Sequence, residues 1–494
     1  MSFVFPQDMR GFRIHMTGVK GTGMTALAEI LVSRGASVSG SDVSDVFYTD
    51  EILKQLGIAP QAFSAENITA DVQCVIYSAA YSVQTHPELH RAREAGVPCL
   101  LYSEALGLFS AGTYSCGICG VHGKTTTAGL AGTAAHEMGL AAQTLAGSAI
   151  ASFGGSCTLT DGHDFFIAET CEYQRHFMSF HPKKIVLTSV ESDHQDYYPT
   201  YESIRDAFVE YICLLPQDGE LIYCADDRGA CECAQAAARL RPDIRLTQYG
   251  ERAQGQYRVS FGDVKDGRQY FALERFAPFE FALRMPGRHM ALNAAAAAAL
   301  VCSLFEETGR QAGEAERDKL AQGLLSFSGG RRRSEIIGSC RVNGRDIVFI
   351  DDYGHHPSAI QVTLAGYKSF YPERTLIVDF MAHTYSRTEA LFDRFAGCFS
   401  AADEVILHKI YASARETADG FKVSGELLAQ AAAKRHPHVR YYAEVMDAYG
   451  DVRSELLTLD RDCVFVTMGA GDNWKLGRAL YDSLKNNGEG DTAV

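Results

Sequence analysis

Along this chain, short apolar β-prone runs alternate with longer stretches whose apolar residues recur at helical spacing, and a glycine-bearing break separates many of the pairs. Residues 12–17 read as a strand, 18–24 as a glycine turn and 26–34 as a helix, with a second strand at 37–40. β runs at 74–78 and 98–102 add to a small parallel sheet that ends near Ala111. The pattern restarts with a strand at 114–118, a loop and an Ala-rich helix at 128–138, then strands at 165–168, 184–190 and 219–224. Ser326-Phe-Ser-Gly-Gly330 reads as a linker into a third unit, whose strands at 345–350, 375–379, 404–408 and 463–467 again alternate with helical runs. The expected organisation is α/β throughout, in units 1–111, 112–328 and 329–494, because a chain of 494 residues exceeds what one core holds. The Gly-, Asn- and Asp-rich tail 486–494 is expected to fray, and neither an internal repeat nor a low-complexity block stands out.

Charge narrows the partners. Lysine and arginine number 46 against 61 aspartates and glutamates, a net charge of −15, which argues against a general nucleic-acid binder and requires anionic ligands to meet local basic sites. The apolar stretch 291–305 is Ala-rich, interrupted by Asn293 and too short to cross a bilayer, and residues 1–10 lack a basic segment leading into an apolar core. A soluble cytoplasmic protein is expected, without nucleic acid or membrane as partner, and a monomer or homodimer in solution. The 14 cysteines are scattered through apolar runs, as reduced core cysteines are. Cys116 and Cys119 form a CxxC inside a strand, with no second pair to complete a zinc set.

The strongest chemical signal is Gly120-Val121-His122-Gly123-Lys124-Thr125-Thr126-Thr127, where a strand meets a helix. Free amide groups and the helix dipole favour an anion there, Lys124 is placed to reach nucleotide phosphates, and the Thr125 hydroxyl to ligate magnesium. The stricter phosphate-loop pattern has glycine where this chain has Ile118, so the match is to the shorter GxxGKT form. Glu169 ends the strand 165–168, and Glu191-Ser-Asp193-His194 ends another, placing acids and a histidine where open α/β sheets bind ligands. A first glycine turn, Gly18-Val-Lys-Gly21-Thr-Gly23-Met24, with Ser41-Asp42 after the next strand, is similar to a dinucleotide fingerprint. Pro286-Gly-Arg-His289 with Asn293, the run Arg331-Arg332-Arg333, Asp351-Asp352-Tyr353-Gly-His355-His356-Pro357, Phe380-Met-Ala-His383-Thr384-Tyr-Ser-Arg387 and Gly469-Ala-Gly471-Asp472 gather further polar groups at helix starts and strand ends.

Taken in order and at their spacing, these motifs resemble the Mur ligases of bacterial cell-wall synthesis over nearly the whole chain. The resemblance implies a Rossmann-like N-terminal domain for a UDP-sugar, a central P-loop ATPase-type parallel-sheet domain and a Rossmann-like C-terminal domain that brings the amino acid. It implies an ATP- and Mg2+-dependent ligase that joins L-alanine to the lactyl carboxylate of UDP-N-acetylmuramate through an acyl phosphate. ATP would be held by Gly120, His122, Gly123, Lys124, Thr125, Thr126, His289, Asn293, Arg332, Asp352 and Tyr353, and magnesium by Thr125, Glu169 and His194. Lys124, His194, His355 and Arg387 would serve the reaction itself. Gly18, Gly21, Gly23, Met24, Ser41, Asp42, Ser78, Arg175 and His176 would face the UDP-sugar.

Departures from the pattern carry expectations of their own. Lys20 stands where a glycine is usual and is placed to add a phosphate contact. Residues 170–177 are more basic than the acidic stretch usual there, and Thr384 stands where an arginine is usual, so Arg175 or His176 is expected to supply the missing cation. A recycling ligase that attaches a preformed murein tripeptide to the same sugar shares most of these motifs. An NAD-dependent sugar-nucleotide oxidoreductase would leave the phosphate loop without use, and a silent scaffold would not need Lys124, Thr125, Glu169 and His194.

Overall fold

The computed structural model describes residues 3–6, 8–412 and 418–485; the tail expected to fray, 486–494, lies outside them. Each third of the chain builds its own sheet. The first is four-stranded and parallel, in the order Ser37–Ser41, Arg13–Thr17, Cys74–Tyr77, Cys99–Leu101. Its strands are flanked by the helices Thr22–Ser33, Pro87–Glu94 and Tyr102–Ala111. Pro87 opens its helix at the position where a missing N–H is harmless.

The second sheet has ten strands, with Tyr114–Cys119 near its middle between Lys184–Leu187 and Phe165–Glu169. The chain passes from one side of Tyr114–Cys119 to the other after Phe165–Glu169, and open α/β sheets bind ligands at such a crossover. One edge departs from the pattern the sequence suggested. Arg245–Gly250 continues the parallel ladder, and Tyr257–Lys265, Arg268–Leu273 and Glu280–Leu283 extend it as an antiparallel meander. Only one face of that meander is buried; Tyr257–Lys265 alternates buried Tyr257 and Val259 with exposed Arg258 and Ser260.

Packed against this sheet, Arg288–Glu307 is a helix of 20 residues, longer than the apolar run predicted and long and apolar enough by composition to span a bilayer. It lies in the protein core instead, with Ala294 to Leu300 at most 1% exposed. Alanine brings helices close; a Cβ on Gly323 of the helix Glu314–Ser326 would stand 2.6 Å from the Cα of Ala134 in Lys124–Glu137.

The third sheet runs Glu335–Val342, Arg345–Asp352, Cys463–Met468, Thr375–Phe380, Glu404–Leu407, Val439–Tyr441, antiparallel in its first pair and parallel beyond. Its helix Pro357–Phe370 touches the central domain, where a Cβ on Gly366 would lie 2.9 Å from the Cα of Gly287. The supposed linker is itself packed, with Phe327 1% exposed and Gly330 bridged to Ile150.

Candidate functional site

A cleft of about 750 Å³ lies between the central and C-terminal domains, lined by the phosphate loop, by strand ends of both sheets and by the start of Arg288–Glu307. Gly123, with φ +82°, turns the chain into the helix Lys124–Glu137. A Cβ there would meet Asn293 Oδ1 at 2.6 Å, so the glycine admits both the turn and the asparagine. Lys124 Nζ donates to the Gly120 carbonyl at 2.5 Å and to Glu172 Oε2 at 3.0 Å. Burial opposes the lysine's charge, but the Glu172 carboxylate outweighs it and raises the pKa above the usual lysine range. The Thr125 hydroxyl donates to Glu169 Oε2 at 2.8 Å, and the Gly147 amide to the same oxygen at 2.8 Å. A hydroxyl and a carboxylate thus converge at the first turn of a helix, the hard oxygen donors that Mg2+ takes. His194, with φ +53°, sets Nε2 3.3 Å from Glu172 Oε1.

The C-terminal domain contributes the opposite wall. Asp352 accepts from the amides of Ser334 and Gly354, both at 2.7 Å, and Tyr353 and His355 project beside it into the cleft. His355 Nδ1 lies 2.9 Å from the Tyr353 carbonyl, so it carries the proton and Nε2 is the acceptor. Burial, then the charge of Arg387, hold this imidazole well below the usual histidine range. Arg387 reaches across the cleft, donating from Nε to Asp193 Oδ1 at 2.9 Å, with both side chains under a tenth exposed. His289 and Asn293 line the floor, and burial pushes His289 down to about 4.

Several predicted residues stand elsewhere. Arg332 is turned from the cleft, bonded to Asp351 Oδ2 at 2.8 Å and to the Gly469 and Gly471 carbonyls at 2.7 and 3.1 Å. Arg333 lines the cleft in its place. Arg175 pairs with Glu210 and is not among the cleft residues, nor is His176, whose ring contacts Tyr173. The geometry therefore does not carry the Arg175 or His176 substitution for Thr384; the guanidiniums that face the cleft are those of Arg387 and Arg333. Thr384 caps the helix Tyr385–Ala390, accepting from the Arg387 amide at 3.3 Å.

In the first domain the glycine turn is in place, with Gly18 at φ +84° and its amide bonded to the Ser41 carbonyl at 2.9 Å. Tyr81 and Ser78 lie over Gly18, where a Cβ would come within 2.6 and 3.0 Å of them, and Tyr102 stands 2.9 Å from a Cβ on Gly23. Met24 is buried, and Gly21 accepts the first bond of the helix Thr22–Ser33 from Thr25. Asp42 holds the Lys20 amide at 2.7 Å. Two expectations change. The Ser41 hydroxyl is fully buried and donates to Glu88 at 2.6 Å, and the Lys20 amine binds the Asp45 carbonyl at 2.8 Å and Asp50 at 3.2 Å, tying down the loop after Asp42.

Glu191, Asp193 and His356 stood in motifs read from the sequence but were given no role of their own, and Glu172 was not singled out at all. The signal available was the acid at Glu172, three residues after Glu169 and just past a strand end.

The layout is that of a multidomain α/β protein that closes a phosphate-binding loop against a second domain. Comparison with known proteins identifies the family. Models described as the Mur ligase family catalytic domain, the Mur ligase middle domain and the Mur ligase glutamate ligase domain match residues 13–114, 118–301 and 332–471. The UDP-N-acetylmuramate--L-alanine ligase of Treponema pallidum (strain Nichols) is 51% identical over 481 residues, 97% of this chain and 98% of that protein. The protein of the same name from Borrelia garinii subsp. bavariensis is 35% identical over 467 residues, 94% and 97% of the two chains. Among solved structures, the UDP-N-acetylmuramate-alanine ligase of Thermotoga maritima shares the fold with a TM-score of 0.73 at 22% identity, covering 96% of this chain and 99% of that one. The chain belongs to the Mur ligase family.

Proposed function

We propose that this protein joins L-alanine to the lactyl carboxylate of UDP-N-acetylmuramate, converting ATP to ADP and phosphate, as a step in peptidoglycan precursor synthesis. The observation that carries the reading is the pairing, in one cleft, of the Lys124–Thr125–Glu169 cluster with Arg387 and His355 from the facing domain. The near-full-length relatives that bear this activity in their names support it.

The residues suit the two steps such a reaction needs. First, a lactyl carboxylate oxygen attacks the γ-phosphorus and ADP leaves, giving an acyl phosphate; the barrier is lowered mainly by alignment and charge neutralisation. Lys124 is held at the loop by Glu172 and the Gly120 carbonyl, from which terminal phosphates would draw it, and Arg333 and Arg387 offer guanidiniums from the opposite wall. Mg2+ bound by Thr125 and Glu169, with His194 close by, would neutralise phosphate charge. Second, the alanine amine attacks the acyl carbon, phosphate leaves, and the amine loses a proton. His355 lines the cleft with Nδ1 turned to the Tyr353 carbonyl, which leaves Nε2 to accept a hydrogen bond from the incoming amine and so to orient it. Asp352, Tyr353, His289 and Asn293 would hold the nucleoside end of ATP, and Gly18, Gly21 and Gly23 would let the UDP pyrophosphate approach the first domain. A cytoplasmic site of action fits these substrates.

The test is phosphate release from ATP with Mg2+ and UDP-N-acetylmuramate, adding L-alanine, glycine, L-serine or L-Ala-γ-D-Glu-diaminopimelate separately, with product masses. Release that requires L-alanine and yields the alanyl sugar is expected. Release with the tripeptide alone would move the assignment to recycling.

A further inference from the structure

His122, Glu191 and His356 come together from three segments of the chain, and nothing in the ligase reaction requires the last of them. His122 stands in the phosphate loop, Glu191 follows the strand Lys184–Leu187, and His356 precedes the helix Pro357–Phe370 of the C-terminal domain. His122 Nε2 is 2.6 Å and His356 Nδ1 3.3 Å from the same oxygen, Glu191 Oε1, and one donor atom from each residue lies within 4.8 Å of the other two. A plain ion pair between His122 and Glu191 would account for two of these side chains. It leaves His356 with only a 3.3 Å approach of Nδ1 to that carboxylate, short of hydrogen-bond geometry, and with Nε2 unused. That imidazole is fully buried, and among the described residues neither of its ring nitrogens has a hydrogen-bond partner. Such a group in a native interior calls for a ligand.

We propose that His122, Glu191 and His356 form a binding site for a transition-metal ion of the Zn2+ class, distinct from the oxygen-donor site at Thr125 and Glu169, that fastens the C-terminal domain to the phosphate loop. Two imidazoles and one carboxylate are a zinc-type donor set, whereas Mg2+ prefers oxygen alone. Metal–ligand bonds of about 2.0–2.2 Å hold tetrahedral donors roughly 3.3–3.6 Å apart, so His122 and Glu191 need separate by only about 1 Å. The second Glu191 oxygen is already held by Ser358 Oγ at 2.9 Å and Arg394 Nη2 at 3.2 Å, the outer contacts that orient a ligating carboxylate. Because His356 belongs to the C-terminal domain, an ion held there ties that domain to the phosphate loop.

The test is calorimetric titration of the metal-stripped full chain with Zn2+ in excess Mg2+, which keeps the oxygen site filled. One Zn2+ per chain is expected, with His356→Gln weakening it by about 10-fold or more while circular dichroism shows an intact fold. Glu191→Gln, which keeps the side chain's shape, is the second variant and decides the matter should His356→Gln fail to fold. Absence of a Zn2+ site in the unmodified chain, or affinity unchanged in the folded variants, overturns the proposal.

Discussion

Lys124 and Glu172 show how much one side chain's role depends on a partner distant in sequence. The lysine is legible from the sequence because glycines and threonines flank it; the glutamate is not, because its partner lies 48 residues away and the intervening pattern gives no distance. Glu172 is buried and Lys124 half-buried beside it, so the glutamate's charge is tolerated only while the lysine is present. Lys124→Met should abolish phosphate release and also destabilise the fold by about 3 kcal/mol, since Glu172 is left beside His194 alone. Adding Glu172→Gln should restore most of the stability and none of the activity, as read by urea denaturation and by phosphate release. The same limit explains the arginine run: residue order does not say which of three adjacent arginines faces the cleft, and tertiary partners decide it, with Arg332 held by Asp351 and Arg333 left to the cleft. His289 gives a prediction in pH. Its pKa is depressed to about 4 in the fold and near 6.5 when unfolded, so the unfolded chain binds the proton first and stability falls as pH drops from about 6.5 towards 4. His289→Gln should remove about 1.5 kcal/mol of the loss between pH 6.5 and 5, measured by denaturation at both values.

At the scale of elements, local chemistry makes some features readable and leaves others hidden. The strand, loop and helix around Gly120 are specified within a dozen residues by an apolar run, two glycines and an Ala-rich helix, and they form as expected. The meander at 257–283 lacks such marks: one face is buried, the other carries Arg258, Lys265 and Glu280, and the ladder that stabilises it is tertiary. Gly123 tests the loop as an element. Alanine there must hold φ +82° and intrude on Asn293, so Gly123→Ala should cost about 1–2 kcal/mol and weaken ATP binding about 10-fold or more. Thermal denaturation and nucleotide titration separate the effects; full ATP affinity in a destabilised variant would show that the loop needs glycine for folding alone.

For the whole molecule, what matters is how domains built on separate sheets are held at one cleft. Sequence motifs mark each wall, but which wall meets which depends on the packing of Arg288–Glu307 against Pro357–Phe370 and on ion pairs between residues about two hundred positions apart. Asp193 and Arg387 are the most buried of these pairs across the cleft. Burial alone would raise the Asp193 pKa, yet the Arg387 guanidinium and nearby histidines hold it far below the usual carboxylate range, which favours the charged pair at neutral pH. Truncating one partner of a buried, hydrogen-bonded charge pair at an interface costs about 2–5 kcal/mol. Asp193→Ala should therefore loosen the C-terminal domain and cut kcat/KM for the amino acid by roughly 30-fold or more, because that domain contributes Arg387 and His355 to the cleft. Small-angle scattering should show an expanded particle in the variant, with ATP affinity of the central domain nearly unchanged. A variant that loses ATP affinity and amino-acid turnover equally would place Asp193 in the phosphate site itself, with no separate part in holding the domains together.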